Sequence, residues 1–235
     1  MLTAQESEII ALSLKVAFWS VLASLPPAIL AAHVLARRHF MGKSLVDAVI
    51  HLPLVLPPVV VGYFLLLLLG RTGPLGGWLQ DWFGVVVAFR WTGAAIACGV
   101  MGFPLMVRSI RLSIEATDPK LEQAAATLGA SPLAVFMAVT LPLAAPGIVT
   151  GMLLSFARSL GEFGATITFV SNIPGETQTL PLAIYALTQV PGGDAQALRL
   201  CTISIVLSLA ALLVSEALVR RASRRVLGYD AVGRD

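Results

Sequence analysis

Five long apolar stretches, 9–36, 45–70, 91–110, 143–170 and 197–219, dictate the solvent in which this chain can fold. Each reaches or exceeds the roughly 20 residues that a helix needs to cross a hydrocarbon core. Only 12% of the residues are charged while 57% are hydrophobic, against about 25% charged in an ordinary soluble domain. Such a chain cannot cover its own surface against water, so lipid is the solvent for much of it. In lipid every backbone polar group must be satisfied internally. The runs are far longer than strands and show no two-residue alternation, so they read as helices. With 235 residues there is room for one membrane domain, 1–235, and none for a separate catalytic domain.

Loop charges give an orientation. Arg37, Arg38 and Lys43 follow the first span, Arg108, Arg111 and Lys120 flank the third, and Arg220, Arg221, Arg224, Arg225 and Arg234 lie in the tail. Eleven of the 16 basic residues thus fall on one side; Arg71 and Arg90, with Arg199 at the edge, lie on the other, and Lys15 and Arg158 are within spans. The positive-inside rule places that richer side in the cytoplasm, so the N-terminus is expected outside and the C-terminus inside. The same distribution accounts for the net charge of +3 without nucleic acid as a partner. The acidic start, MLTAQESEII, lacks the basic n-region of a secretory signal. A shorter apolar run, 179–190, ends at Pro191-Gly192-Gly193 and reads as a re-entrant or interfacial element dipping in from outside. Prolines stud the spans at Pro26-Pro27, Pro53, Pro57-Pro58, Pro104 and Pro146, consistent either with bent packing or with helices that line a path.

No metal or catalytic constellation emerges. Cys98 and Cys201 sit within apolar runs as small packing residues. His33, His39 and His51 read as interfacial side chains without a carboxylate partner at metal-site spacing. Neither a Ser–His nor a paired-Asp arrangement occurs at membrane depth, and no P-loop is present, so any ATP that drives the protein is bound by another chain. Neither a cofactor nor a metal is expected. Lys15, near the outer surface, can snorkel.

The loop between the third and fourth spans is helix-forming yet too polar to cross. Asp118-Pro119 reads as an N-cap followed by a first-turn proline, 120–128 as an alanine-rich helix, and Gly129 as its stop. Ser131-Pro132 opens a second helix, closed by Leu141-Pro142. On the fourth span Gly147, Gly151, Ser155, Arg158, Ser159, Glu162 and Thr166 fall on one stripe of an ideal helix. Two readings of that stripe stand. It lines a translocation path in which Ser155, Ser159 and Thr166 offer donors to a passing anion, or it is a packing seam latched by an Arg158–Glu162 pair.

The run Gln123-Ala124-Ala125, then Gly129, then Val139-Thr140-Leu141-Pro142 resembles the EAA loop of ABC-importer permeases. Gln123 stands where that family has Glu, with Glu122 one place earlier. The segments GEFGATITFVSNIPGETQTLPLAIY and PLVLPPVVVGYFLLLLLGRTGPLG are similar to the molybdate and sulfate permeases of that family, the former closer to the molybdate group. The resemblance implies an all-α integral membrane protein with the type I ABC importer permease fold: about five transmembrane helices, a short re-entrant helix and a cytoplasmic coupling helix within a loop at 113–142. It implies a non-catalytic, dimeric permease of the bacterial inner membrane that carries an oxyanion delivered by a periplasmic or extracellular binding protein. Two ATP-binding cassette subunits would grip the loop through Glu122, Gln123, Ala124, Ala125, Gly129, Leu141 and Pro142. Sulfate or thiosulfate remains the alternative cargo. An ion-driven secondary transporter is the alternative mechanism, disfavoured by the lack of a convincing internal repeat and by the small number of intramembrane carboxylates.

Overall fold

A reciprocal cap begins the first helix in the computed structural model, which describes residues 3–227. The Thr3 hydroxyl accepts from the Glu6 amide at 3.2 Å, and the Glu6 carboxylate accepts from the Thr3 amide at 2.8 Å. Two otherwise orphaned donors are thereby satisfied. Helix α1 (Ala4–Arg37) then runs through Pro26-Pro27 to its basic end.

The second apolar stretch is not one helix, although 45–70 reads as a single span in the sequence. It divides into α2 (Lys43–Val55) and α3 (Pro58–Leu69), bent by 113° at Leu56-Pro57. Two adjacent prolines remove two successive donors from the ladder, and Pro57 pushes the residue before it out of the helical region. Leu56 accordingly lies at φ −70° and ψ 144°. A short helix, α4 (Pro74–Phe83), leads into α5 (Trp91–Glu115), which carries Pro104 in its interior.

The loop at 113–142 folds as a set of short helices. Helix α6 (Pro119–Thr127) starts as its sequence signals, with the Asp118 carboxylate accepting from the Lys120 amide at 2.9 Å and Gly129 adopting φ 88° beyond its end. Helix α7 (Pro132–Val135) is capped by the Ser131 hydroxyl, which accepts from Ala134 at 3.3 Å. Leu141-Pro142 does not close this segment. The chain widens into a π-helical turn over Phe136–Thr140, in which the Leu141 amide donates to the Phe136 carbonyl, and continues as α8 (Leu141–Leu143). Pro142 cannot donate and its ring crowds the carbonyl four residues earlier, so widening the turn relieves the clash.

The fourth stretch is also divided, into α9 (Ala145–Leu160) and α10 (Gly164–Val170), with Gly161-Glu162-Phe163 between them. The short run read at 179–190 forms α11 (Leu180–Thr188), and α12 (Asp194–Leu227) completes the described chain. Arg234 lies outside the described residues. Among the described residues three helices, α1, α5 and the 194–214 part of α12, are long and apolar enough to cross a membrane. The bent pairs α2–α3 (113°) and Pro132–Leu143 with α9 (67°) raise the number to five if each pair is one span.

Helix α5 packs against both α1 and α9, which also meet each other. One apolar cluster joins Leu12 and Val16 of α1 to Cys98 and Met101 of α5 and Phe169 of α10. A second joins Ala28 and Leu35 of α1 to Met106, Ile110 and Ile114 of α5. Cys98 is the small core residue its sequence context suggests. The α5–α9 crossing is close because it is built on glycine: a Cβ at Gly102 would collide with the Ser155 hydroxyl, and one at Gly147 with Ser113.

Candidate functional site

The residues singled out in the sequence fall into two regions. The first is helix α6, in the loop between α5 and α9. None of its residues is buried, and Gln123 and Ala124 are exposed. Beside it Leu128 is 89% exposed, and Leu121, Leu133 and Met137 also stand clear of the protomer. Apolar side chains exposed around a polar helix make a surface that a partner can cover. Leu141 is half-buried and Pro142 exposed, on the far side of the π turn.

Glu122 behaves differently from its neighbours. Its Oε1 accepts from Arg37 Nε at 3.1 Å and from the Thr140 hydroxyl at 2.9 Å, while Arg37 Nη2 donates to the Thr117 carbonyl at 3.0 Å. The carboxylate is thus turned into the protomer, and Gln123 faces out. In the sequence Arg37 is a topology signal and Thr140 only one position of the loop motif, with nothing to pair them. Their convergence is set by the return of the chain from α5 to the end of α1, which no local pattern encodes.

The second region is the α9 stripe. Ser155, Ser159, Glu162 and Thr166 are all buried, and the Arg158 side chain keeps 29% exposure. Arg158 Nη1 lies 2.6 Å from Glu162 Oε2. The other carboxylate oxygen accepts from the Ala165 amide at 2.8 Å, so Glu162 caps α10 across the break. Thr166 donates to the Phe163 carbonyl at 2.9 Å, and Ser159 donates to the Ser155 carbonyl at 2.8 Å. The Ser159 hydroxyl also lies 3.0 Å from that of Ser20 on α1. Among the described residues Ser155 Oγ has no hydrogen-bond partner, and it abuts Gly102. In this conformation the stripe therefore faces helices, and Arg158 is the member that reaches open space.

One smaller assignment changes. His51 does have a carboxylate beside it: its Nδ1 is 3.4 Å from Asp47 Oδ1, one turn away, and Arg111 pairs with Asp47 at 3.0 Å and with Glu115 at 2.7 Å. The sequence reading missed this because Asp47 was counted as part of an apolar span. The group is an ion-pair network tying α2 to α5, and among the described residues no cluster of three or more His, Cys, Asp or Glu could hold a metal. Lys15 lies with its ammonium 3.8 Å from the Trp91 ring centroid, a cation–π contact that keeps the charge at the protein surface.

Comparison with known proteins bears on both regions. The model of the family described as "binding-protein-dependent transport system inner membrane component" matches residues 24–226. The molybdenum transport system permease protein ModB of Escherichia coli K12 is 59% identical over 225 residues, covering 96% of this chain and 98% of that one. The sulfate transport system permease protein CysT of the same organism is 37% identical over 204 residues, covering 86% of this chain and 72% of that one. Among solved structures, a bacterial alginate ABC transporter in complex with an alginate-bound periplasmic protein superposes with a TM-score of 0.73 at 20% identity, covering 93% of this chain and 80% of that one. With α2 to α11, the chain breaks and the exposed loop helix all within the segment that the family model matches, the chain belongs to the family of inner-membrane permease components of binding-protein-dependent transport systems.

Proposed function

We propose that this chain is the translocating subunit of an ATP-driven molybdate importer. The observation that carries the reading is 59% identity over 96% of the chain to a molybdenum permease, against 37% over 86% to a sulfate permease. Two copies form the path, a binding protein delivers the anion from outside, and two separate ATP-binding subunits hydrolyse ATP. The N-terminus is outside and the basic C-terminus is in the cytoplasm. Gln123, Ala124, Ala125, Gly129 and the exposed leucines around α6 form the face that the ATP-binding subunit grips, while Leu141 and Pro142 shape the turn leading to α9.

The chain's contribution to transport is mechanical. ATP binding draws the partner subunits together, α6 moves with them, and the bent pairs let the inner and outer halves of a span reorient separately. A ligand is moved because the two states bind it differently. Arg158 is the pathway residue that we assign to a passing dianion. Ser155, Ser159, Glu162 and Thr166 form the wall behind it, holding Arg158 and the start of α10 in place. The test is reconstitution of the permease with the ATP-binding subunits in liposomes, with binding protein outside. Molybdate is expected to stimulate hydrolysis and to accumulate only with ATP, and a large excess of sulfate is expected to compete poorly. Uptake without ATP, or equal competition by sulfate, would overturn the assignment.

A further inference from the structure

Among the described residues, the side-chain hydrogen bonds that join the α6 lever to the membrane-spanning body meet at a single carboxylate oxygen. No residue of α6 is buried, and its packing within the protomer is limited to the neighbouring π turn and α7. Among the described residues, the hydrogen bonds that link α6 to α1 and to the π turn all meet at Glu122 Oε1, where Arg37 and Thr140 converge. Arg37 is in the last turn of α1, and its second donor holds the Thr117 carbonyl in the hinge between α5 and α6. Thr140 is buried at the end of the π turn that feeds α9. One atom therefore ties the lever to two different routes into the membrane, α1 on one side and α9 on the other.

We propose that Glu122 is a positioning residue for energy coupling: with Arg37 and Thr140 it makes displacement of α6 a displacement of α1 and α9 together. Resting on the reading above that α6 receives the stroke of an ATP-binding subunit, the proposal adds which bond carries that stroke onward. The Arg37 and Glu122 side chains are 15% and 18% exposed, so the pair is neither in open water nor sealed away. Exposed pairs add little to stability. A tether of this kind matters for direction: three chain segments meet at fixed distances, and loss of the tether leaves α6 held by its chain connections and its packing on the π turn and α7, with no bond to α1.

The test uses the full complex in liposomes with binding protein and radiolabelled molybdate, reading molybdate imported per ATP hydrolysed. Glu122→Gln is expected to lower that ratio at least tenfold, and Thr140→Val, which leaves the ion pair in place, about two- to fivefold. Reversing the pair, Arg37→Glu with Glu122→Arg, is expected to recover a substantial part of the ratio, which loss of folding would not allow. An unchanged ratio in both Glu122→Gln and Thr140→Val overturns the inference. Should Glu122→Gln fail to assemble, Thr140→Val alone decides. Absence of ATP-dependent uptake by the unaltered complex would instead overturn the function on which the inference rests.

Discussion

Glu162 sits within an apolar stretch and is almost fully buried, yet both of its oxygens are engaged, one by Arg158 and one by the amide that opens α10. Removing one partner of such a pair is worse than removing both, because the remaining charge has no water to turn to. Arg158→Leu is therefore expected to destabilise the permease by about 3 kcal/mol. The double variant with Glu162→Leu should recover part of that loss, as measured by thermal melting in detergent. Full molybdate uptake by a well-assembled double variant would remove the pair from the path. A second residue-scale expectation concerns the α5–α9 crossing. Gly102→Ala places a methyl group against the Ser155 hydroxyl and is expected to cost about 1–3 kcal/mol. Combining it with Ser155→Ala relieves the clash, and the melting temperatures of the three variants form a cycle that measures the contact.

At the scale of elements, α6 was the most legible part of the chain. Asp118, Pro119, Ser131 and Gly129 stand where cap and stop residues belong, and each plays the expected part. The exposed leucines beside it give the corresponding prediction. Leu128→Asp should weaken binding of the ATP-binding subunit at least tenfold in a pull-down titration, while melting of the isolated permease shifts by no more than about 0.5 kcal/mol in stability. The breaks were less legible. Pro57-Pro58 marks the site of the α2–α3 bend, but hydropathy says only that both sides are apolar, and 113° is fixed by what α2 and α3 pack against. The interruption at Gly161-Glu162-Phe163 was hidden for a related reason: projected on an ideal helix, the stripe from Gly147 to Thr166 looks continuous. A carboxylate capping the next helix satisfies the backbone at the break, and that solution appears only in three dimensions.

For the whole molecule, span number follows from length and apolarity, the two quantities that lipid selects directly, and the observed helices supply up to five crossings. What hydropathy omits is contact between distant segments, such as Arg37 with Glu122 or Asp47 with Arg111. Orientation can be checked independently. In a chain with Cys98 and Cys201 replaced by alanine, Ser131→Cys is expected to react with an impermeant thiol reagent only after the membrane is opened, and Asp81→Cys in intact spheroplasts; the reverse pattern would invert the topology. The widened turn at Phe136–Thr140 also sets an angle for the assembled machine. Each residue of an ordinary helix advances the chain by about 100° around the axis, so on the proposed function a turn holding one residue more than usual works as a keyway between the α6 crank and the α9 shaft. Excising a single residue there would leave both parts intact but mis-timed, with the crank presented to the motor on the wrong bearing.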